Sequence, residues 1–206
     1  MTSEERREDL IEVGFDFIPN ALATDEGRRE VADRFRRQFE QALPEALNRY
    51  SELPATMMRL GPFVALLDEA RKHYAWGRFH SCIVMSGVAA ERILKDLLLA
   101  ALRVPSGGVA VPVPQEASKH LERLALEDVR EFLVKSGRLD KGLRKAAQEL
   151  ARLRNTYAHA AGGGAEADAR TAVRCLHEIV EGTVSVFKDY EIVDGVLVPR
   201  QPGTSG

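Results

Sequence analysis

The chain has 206 residues, 45% apolar and 29% charged, enough for one good core with a small appendage. Its 29 Lys and Arg are balanced by 31 Asp and Glu, a net charge of −2. That excludes the dense basic surface by which nucleic-acid binders release counterions, so any RNA contact has to be local. Cys82 and Cys175 are too few for a disulfide framework, lack the spacing of a metal knuckle, and read as small buried apolar residues.

In chain order, Thr2 with Glu5 makes a capping-box pattern. The helix behind it carries Leu10, Ile11, Phe15 and Ile18 and stops near Pro19-Asn20. No apolar run follows the charged start, so no signal peptide is expected and the expected compartment is cytoplasmic. A second helix starts at Thr24-Asp25 with Val31, Phe35 and Phe39 on one stripe. Its Arg28, Arg29, Arg34, Arg36 and Arg37 read as a solvated face with Glu partners. Pro44, Pro54 and Pro62 punctuate a connecting region, and a third helix runs from Pro62 to Trp76.

After Gly77 comes what the pattern predicts to be the longest helix, from about Phe79 to Arg103. Its seam of Ile83, Gly87, Ala90, Leu94, Leu97 and Ala101 has small residues where a neighbour can approach closely. Within the most apolar stretch, Cys82 to Leu102, Glu91, Arg92, Lys95 and Asp96 rule out a membrane span. The Gly- and Pro-rich stretch Val104 to Pro114 reads as a loop. Short helices follow at Gln115 to Leu124 and Leu126 to Lys135, then a long one from Leu139 to Ala160 that Gly162-Gly163-Gly164 ends. A last helix bears Val173, Leu176, Val180, Val184 and Phe187. Alternation about Asp194-Gly195 between Tyr190 and Pro199 predicts a β-hairpin. The tail from Gln201 to Gly206 is expected to be disordered.

The residues with chemistry concentrate between Glu149 and Gly164, in Arg154-Asn155-Thr156-Tyr157-Ala158-His159. An imidazole moves a proton near neutral pH and a guanidinium stabilises a crowded anionic phosphorane, so the two together can serve phosphate chemistry without a metal. Spacing alone has little specificity, because Arg152 to His159 and Arg170 to His177 match it nearly as well. Position adds more. Arg154 follows Leu143, Ala147 and Leu150 on an apolar stripe that continues to Tyr157, and Glu91 interrupts the stripe of Val84, Val88, Leu98 and Leu102 in the same way. Two opposite charges on apolar faces predict a partly buried pair, since an unpaired buried charge is costly. His159 falls in the last helical turn, where the carbonyl end of the helix dipole attracts a cation.

Gly87-Val88-Ala89-Ala90-Glu91-Arg92-Ile93-Leu94-Lys95 together with Leu153-Arg154-Asn155-Thr156-Tyr157-Ala158-His159 resembles the HEPN superfamily of α-helical bundles, which carry a late Arg-Asn-x-x-x-His signature. The resemblance covers roughly Pro62 to Tyr190. It implies an all-α, HEPN-like helical bundle with two extra N-terminal helices and a short C-terminal hairpin. The corresponding regions are a helical extension over 1–61 packing on the core, the bundle over 62–190, and the hairpin and tail over 191–206. Many such domains are metal-independent endoribonucleases of toxin–antitoxin and other defence systems, with one composite site at a two-fold dimer interface. Carried over, Arg154 stabilises the phosphorane and His159 is general base or acid. Asn155 orients the phosphate or supports the site, Glu91 positions Arg154, and Tyr157 is a further supporting residue. A homodimer, an RNA substrate and an antitoxin or other protein partner are implied, with no membrane and no cofactor. Other members are non-catalytic dimerisation, sensing or RNA-binding modules, which is the alternative expectation.

Plainer readings accompany these residues. Asn155 can cap or bridge backbone, and Tyr157 reads as core rather than a stacking platform. His73, His80, His120 and His177 show no metal spacing. The triple glycine lacks the strand before it and the Lys-Ser/Thr after it that a phosphate loop needs.

Overall fold

The computed structural model describes residues 23–56, 58, 60–159, 164–185, 190–193 and 196–199. The expected first helix with Leu10, Ile11, Phe15 and Ile18, the Thr2/Glu5 box, Gly162, Gly163, Phe187, Asp194-Gly195 and the tail from Gln201 lie outside the described residues. Seven helices and two hairpins are described: α1 (Asp25–Ser51), α2 (Val64–Ala75), α3 (Phe79–Ala101), β1 (Arg103–Ser106), β2 (Val109–Pro112), α4 (Gln115–Leu121), α5 (Leu126–Lys135), α6 (Lys141–Ala158), α7 (Ala165–Thr183), β3 (Tyr190–Val193) and β4 (Val196–Pro199). No described helix is long and apolar enough to cross a membrane.

By contact the chain divides into two units, Met1–Pro44 and Glu45–Gly206. In the first, Thr24 Oγ1 caps α1 by accepting from the Gly27 amide at 3.1 Å. The basic face is paired at Arg28 with Asp25 and at Arg36 with Asp33, so its partners there are aspartates and not the expected glutamates. Phe35 and Phe39 are 55% and 51% exposed. Pro44, expected in a connecting region, lies inside α1, which at 27 residues and not 23 makes it longer than α3. A proline there has no N–H for the carbonyl four residues back, and its ring crowds that carbonyl.

Residues 45–61, expected in the N-terminal extension, belong with the second unit. The reason is packing: Ala46 and Leu53 are buried, and the Arg49 guanidinium sits 5.2 Å over the Phe79 ring. α3 is the centre of this unit, packed by α2, α6 and α7 and less extensively by α5. Ile83, Ala89, Ile93 and Leu94 on α3 are fully buried, and Leu150 and Leu153 on α6 with Ile179 and Val180 on α7 close the core around them. The seam of Ile83, Gly87, Ala90 and Leu94, whose small residues allow close approach, is buried within the chain.

The expected loop from Val104 to Pro114 is instead largely the hairpin β1–β2, in register Arg103↔Pro112 to Ser106↔Val109. Gly107 and Gly108, both with positive φ, supply its two-residue turn. Alternation from the closing pair Ser106↔Val109 puts Pro105 and Pro112 in positions that donate no ladder hydrogen bond, so neither proline breaks it. The second hairpin, β3–β4, forms as expected, pairing Tyr190↔Pro199 through Val193↔Val196.

Candidate functional site

α6 begins at Asp140, whose Oδ1 accepts from the Leu143 amide at 2.8 Å, and presents Ala146, Ala147, Leu150, Leu153 and Tyr157 to the core. Arg154 follows on the side that faces α3. A Cβ built at Gly87 would lie 2.8 Å from both Cβ and Cδ of Arg154 and 2.9 Å from its Cγ. The methylenes of Arg154 therefore occupy the space that a side chain at 87 would need. Lying across Gly87, the arginine reaches Glu91, whose Oε2 accepts from Nη1 at 2.5 Å. Both side chains keep partial solvent contact, 31% for Arg154 and 26% for Glu91.

Glu91 is shared. Its Oε1 lies 2.9 Å from Lys95 Nζ, which also donates to the Glu122 carbonyl at 2.6 Å. Arg92 bridges Glu122 and Asp96, so a chain of charges ties α3 to the end of α4. Burial by itself pushes the Glu91 carboxyl up, but hydrogen bonds from Lys95 and Arg154 and their charges outweigh it and hold the group below its ordinary value. The predicted pair thus exists, with Lys95 as a third member that the sequence reading left out. The four-residue spacing of Glu91 and Lys95 on one helix was the available signal.

Tyr157 is 5% exposed. Its hydroxyl donates to Asp168 Oδ2 at 2.6 Å, joining the end of α6 to the first turn of α7. That hydrogen bond, with burial and the Asp168 charge, pushes the phenol up to about 12. Tyr157 is core and clasp, as the plainer reading had it, and His80 from the first turn of α3 meets its ring edge-on at 5.1 Å. No local pattern in the sequence marks Asp168 as the partner.

Asn155 and His159 are exposed and have no side-chain hydrogen bond among the described residues. His159 is the C-cap of α6, just past its last helical residue. Asn155 therefore neither caps nor bridges backbone here. Arg154 and His159 are not joined by a hydrogen bond, and five residues of helix separate side chains by about 140° around the axis and about 7.5 Å along it. One chain accordingly offers an anchored guanidinium and an unengaged imidazole on different sides of α6.

Elsewhere, Cys82 is fully enclosed beside Ser86, and burial pushes its thiol up to about 12, which makes it a poor nucleophile. Gly77, with φ +69°, separates His73 on α2 from His80 on α3. Among the described residues, no three His, Cys, Asp or Glu side chains converge as a metal site would require. Comparison with family models, with curated proteins and with solved structures finds no match to this chain.

Proposed function

We propose that the protein is a metal-independent endoribonuclease of HEPN type, working as a homodimer with a composite site. The observation that carries this reading is an arginine fixed by Glu91 across Gly87 while Asn155 and His159 stay exposed and unengaged. Preorganised charge and an available proton carrier are what phosphate transesterification needs. In the reaction, the substrate 2′-oxygen attacks the adjacent phosphorus and the 5′-oxygen leaves. His159 takes the 2′-hydroxyl proton or returns one to the 5′-oxygen, and Arg154 stabilises the phosphorane. The products carry 2′,3′-cyclic phosphate and 5′-hydroxyl ends. Because Arg154 and His159 leave α6 in different directions, a two-fold pairing lets the arginine of one copy work with the histidine of the other.

The test is complementation. His159→Ala and Arg154→Ala proteins, each inactive on RNA, regain part of the wild-type cleavage when mixed, and light scattering gives a dimer mass. A monomer mass at micromolar concentration, or no recovery between variants that exchange subunits, removes the composite site. One observation favours a second reading, a non-catalytic dimerisation or RNA-binding module of a defence or toxin–antitoxin system: Glu91 already neutralises Arg154. Wild-type protein that binds RNA but leaves it uncut would establish that reading.

A further inference from the structure

One face of α7 carries Arg170, Arg174 and His177, none of which belongs to the site proposed above. They overlook a cavity of about 310 Å³ between α7, α2 and the turn that follows α1, floored by Leu53, Pro54 and Val173. At one end the polar atoms satisfy each other. The Tyr74 hydroxyl donates to Glu52 Oε2 at 3.0 Å, Arg170 Nε donates to the Tyr74 oxygen at 3.3 Å, and Arg170 Nη2 lies 3.6 Å from Glu52 and 3.7 Å from Glu166.

The other end is unsatisfied. His177 Nδ1 is enclosed with no hydrogen-bond partner. Arg174 is exposed and makes no hydrogen bond or ion pair among the described residues. An enclosed ring nitrogen without a partner costs free energy, and an orphaned N–H is tolerated less readily than an orphaned lone pair. A proton on Nδ1 would be left without an acceptor, so the ring N–H is assigned to Nε2, which makes that atom the donor. Outside the enclosed Nδ1, the uncommitted groups at this end are His177 Nε2 and the Arg174 guanidinium, both donors and one of them a permanent cation.

We propose that this cavity binds a small organic anion, a carboxylate or phosphate monoester with an apolar body. Its charged head meets Arg174 and His177 Nε2, and its body lies on Leu53, Pro54 and Val173. The volume is at the lower end of the roughly 300–1,000 Å³ that small-molecule sites occupy. It equals about ten waters at about 30 Å³ each, which suits a single ring bearing one charged group. Glu52, held by Tyr74 and Arg170, closes the far end against a second anionic group.

Calorimetric titration of the full chain tests this with three probes: phenyl phosphate, inorganic phosphate as the head alone, and benzyl alcohol as the body alone. Phenyl phosphate is expected to bind saturably at about millimolar concentration or below, and at least ~10-fold more tightly than either fragment. Arg174→Ala and His177→Phe each weaken it at least ~10-fold, the scale of a lost charge-assisted or enclosed hydrogen bond. Arg152→Ala, which removes an exposed arginine of α6 paired with Glu149, leaves the affinity unchanged. Absence of saturable binding by the wild type, or equal affinity in Arg174→Ala, overturns the proposal. Arg174 is on the surface, so its variant decides the matter even if His177→Phe loses its fold, as circular dichroism would report. RNA cleavage is unaffected by either result, since Arg154 and His159 are elsewhere.

Discussion

Arg154 with His159 on α6 and Arg170 with His177 on α7 are arginine–histidine pairs five and seven residues apart on neighbouring helices, and the fold uses them in opposite ways. On α6 the arginine is the anchored member, laid over Gly87 onto Glu91, and the histidine is exposed at the helix end. On α7 the histidine is enclosed at Nδ1, and the arginine spreads over Tyr74, Glu52 and Glu166 at the edge of a cavity. Part of the difference is angular, about 140° within the first pair and about 20° within the second, and part lies in what the facing helix offers. α3 offers a gap and a carboxylate, whereas α2 offers Tyr74. Spacing along one helix fixes the angle between two side chains and nothing about what receives them.

The largest expected effect bears on the first pair. His159→Ala and Arg154→Ala each lower RNA cleavage at least ~10²-fold, measured by the yield of cyclic phosphate ends, with helicity retained. Arg152→Ala, which keeps the fold but alters the other arginine at near-matching spacing, leaves the rate within about twofold. EDTA leaves it unchanged. Cleavage that survives His159→Ala, or stops on chelation, would break the comparison.

Next is Gly87→Ala. The new methyl group collides with the first atoms of Arg154 rather than with its flexible end, so a loss of about 1–3 kcal/mol in urea unfolding is expected. Cleavage should fall as well, although neither Arg154 nor Glu91 is altered. Stability and rate both unchanged would show that α6 shifts freely past α3.

Glu91→Ala should cost about 1–2 kcal/mol, below the range for a fully buried pair because both groups keep water contact. Glu91→Gln should cost less, since it still accepts from Arg154. The folded carboxyl lies below its ordinary value of 4.5. Its contribution is therefore present in full above that pH and is lost as pH falls through the lower folded value. Wild-type stability should drop more steeply on acidification below pH 4.5 than that of Glu91→Gln, and parallel curves would contradict the pairing.

The smallest effect is expected at the clasp. Tyr157→Phe should cost about 1 kcal/mol. In an ultraviolet titration it should remove a phenol that ionises near pH 12. A raised phenol contributes stability below its ordinary value of 10, and that contribution fades as pH rises toward 12.

Much of this was legible in the sequence. The helices from Val64 onward follow from apolar spacing, and the Glu91–Arg154 pair follows from two opposite charges interrupting apolar stripes. Gly87 was legible as a close approach but not as to what approaches: small residues announce a gap, and Arg154 of the same chain fills it. The β1–β2 hairpin was obscured because Pro105 and Pro112 read as breakers, although pairing register leaves both without a donor to lose. Phe35 and Phe39 have the spacing of a core stripe yet remain about half exposed. Asp168 was out of reach, since choosing a partner across a turn depends on tertiary placement and not on local pattern.

The arginine that fills the Gly87 gap also changes what α3 can offer a neighbour. Had the gap been empty, the small residues would have formed a groove for another helix, held by van der Waals contact and indifferent to ions. With it filled, the surface presented there is a partly exposed guanidinium beside a partly exposed carboxylate. A contact made there meets charged groups, so it weakens as ionic strength rises and the Debye length shrinks from about 30 Å at 0.01 M to about 10 Å at 0.1 M. Gly87 thus sets the salt sensitivity of contacts that it never touches.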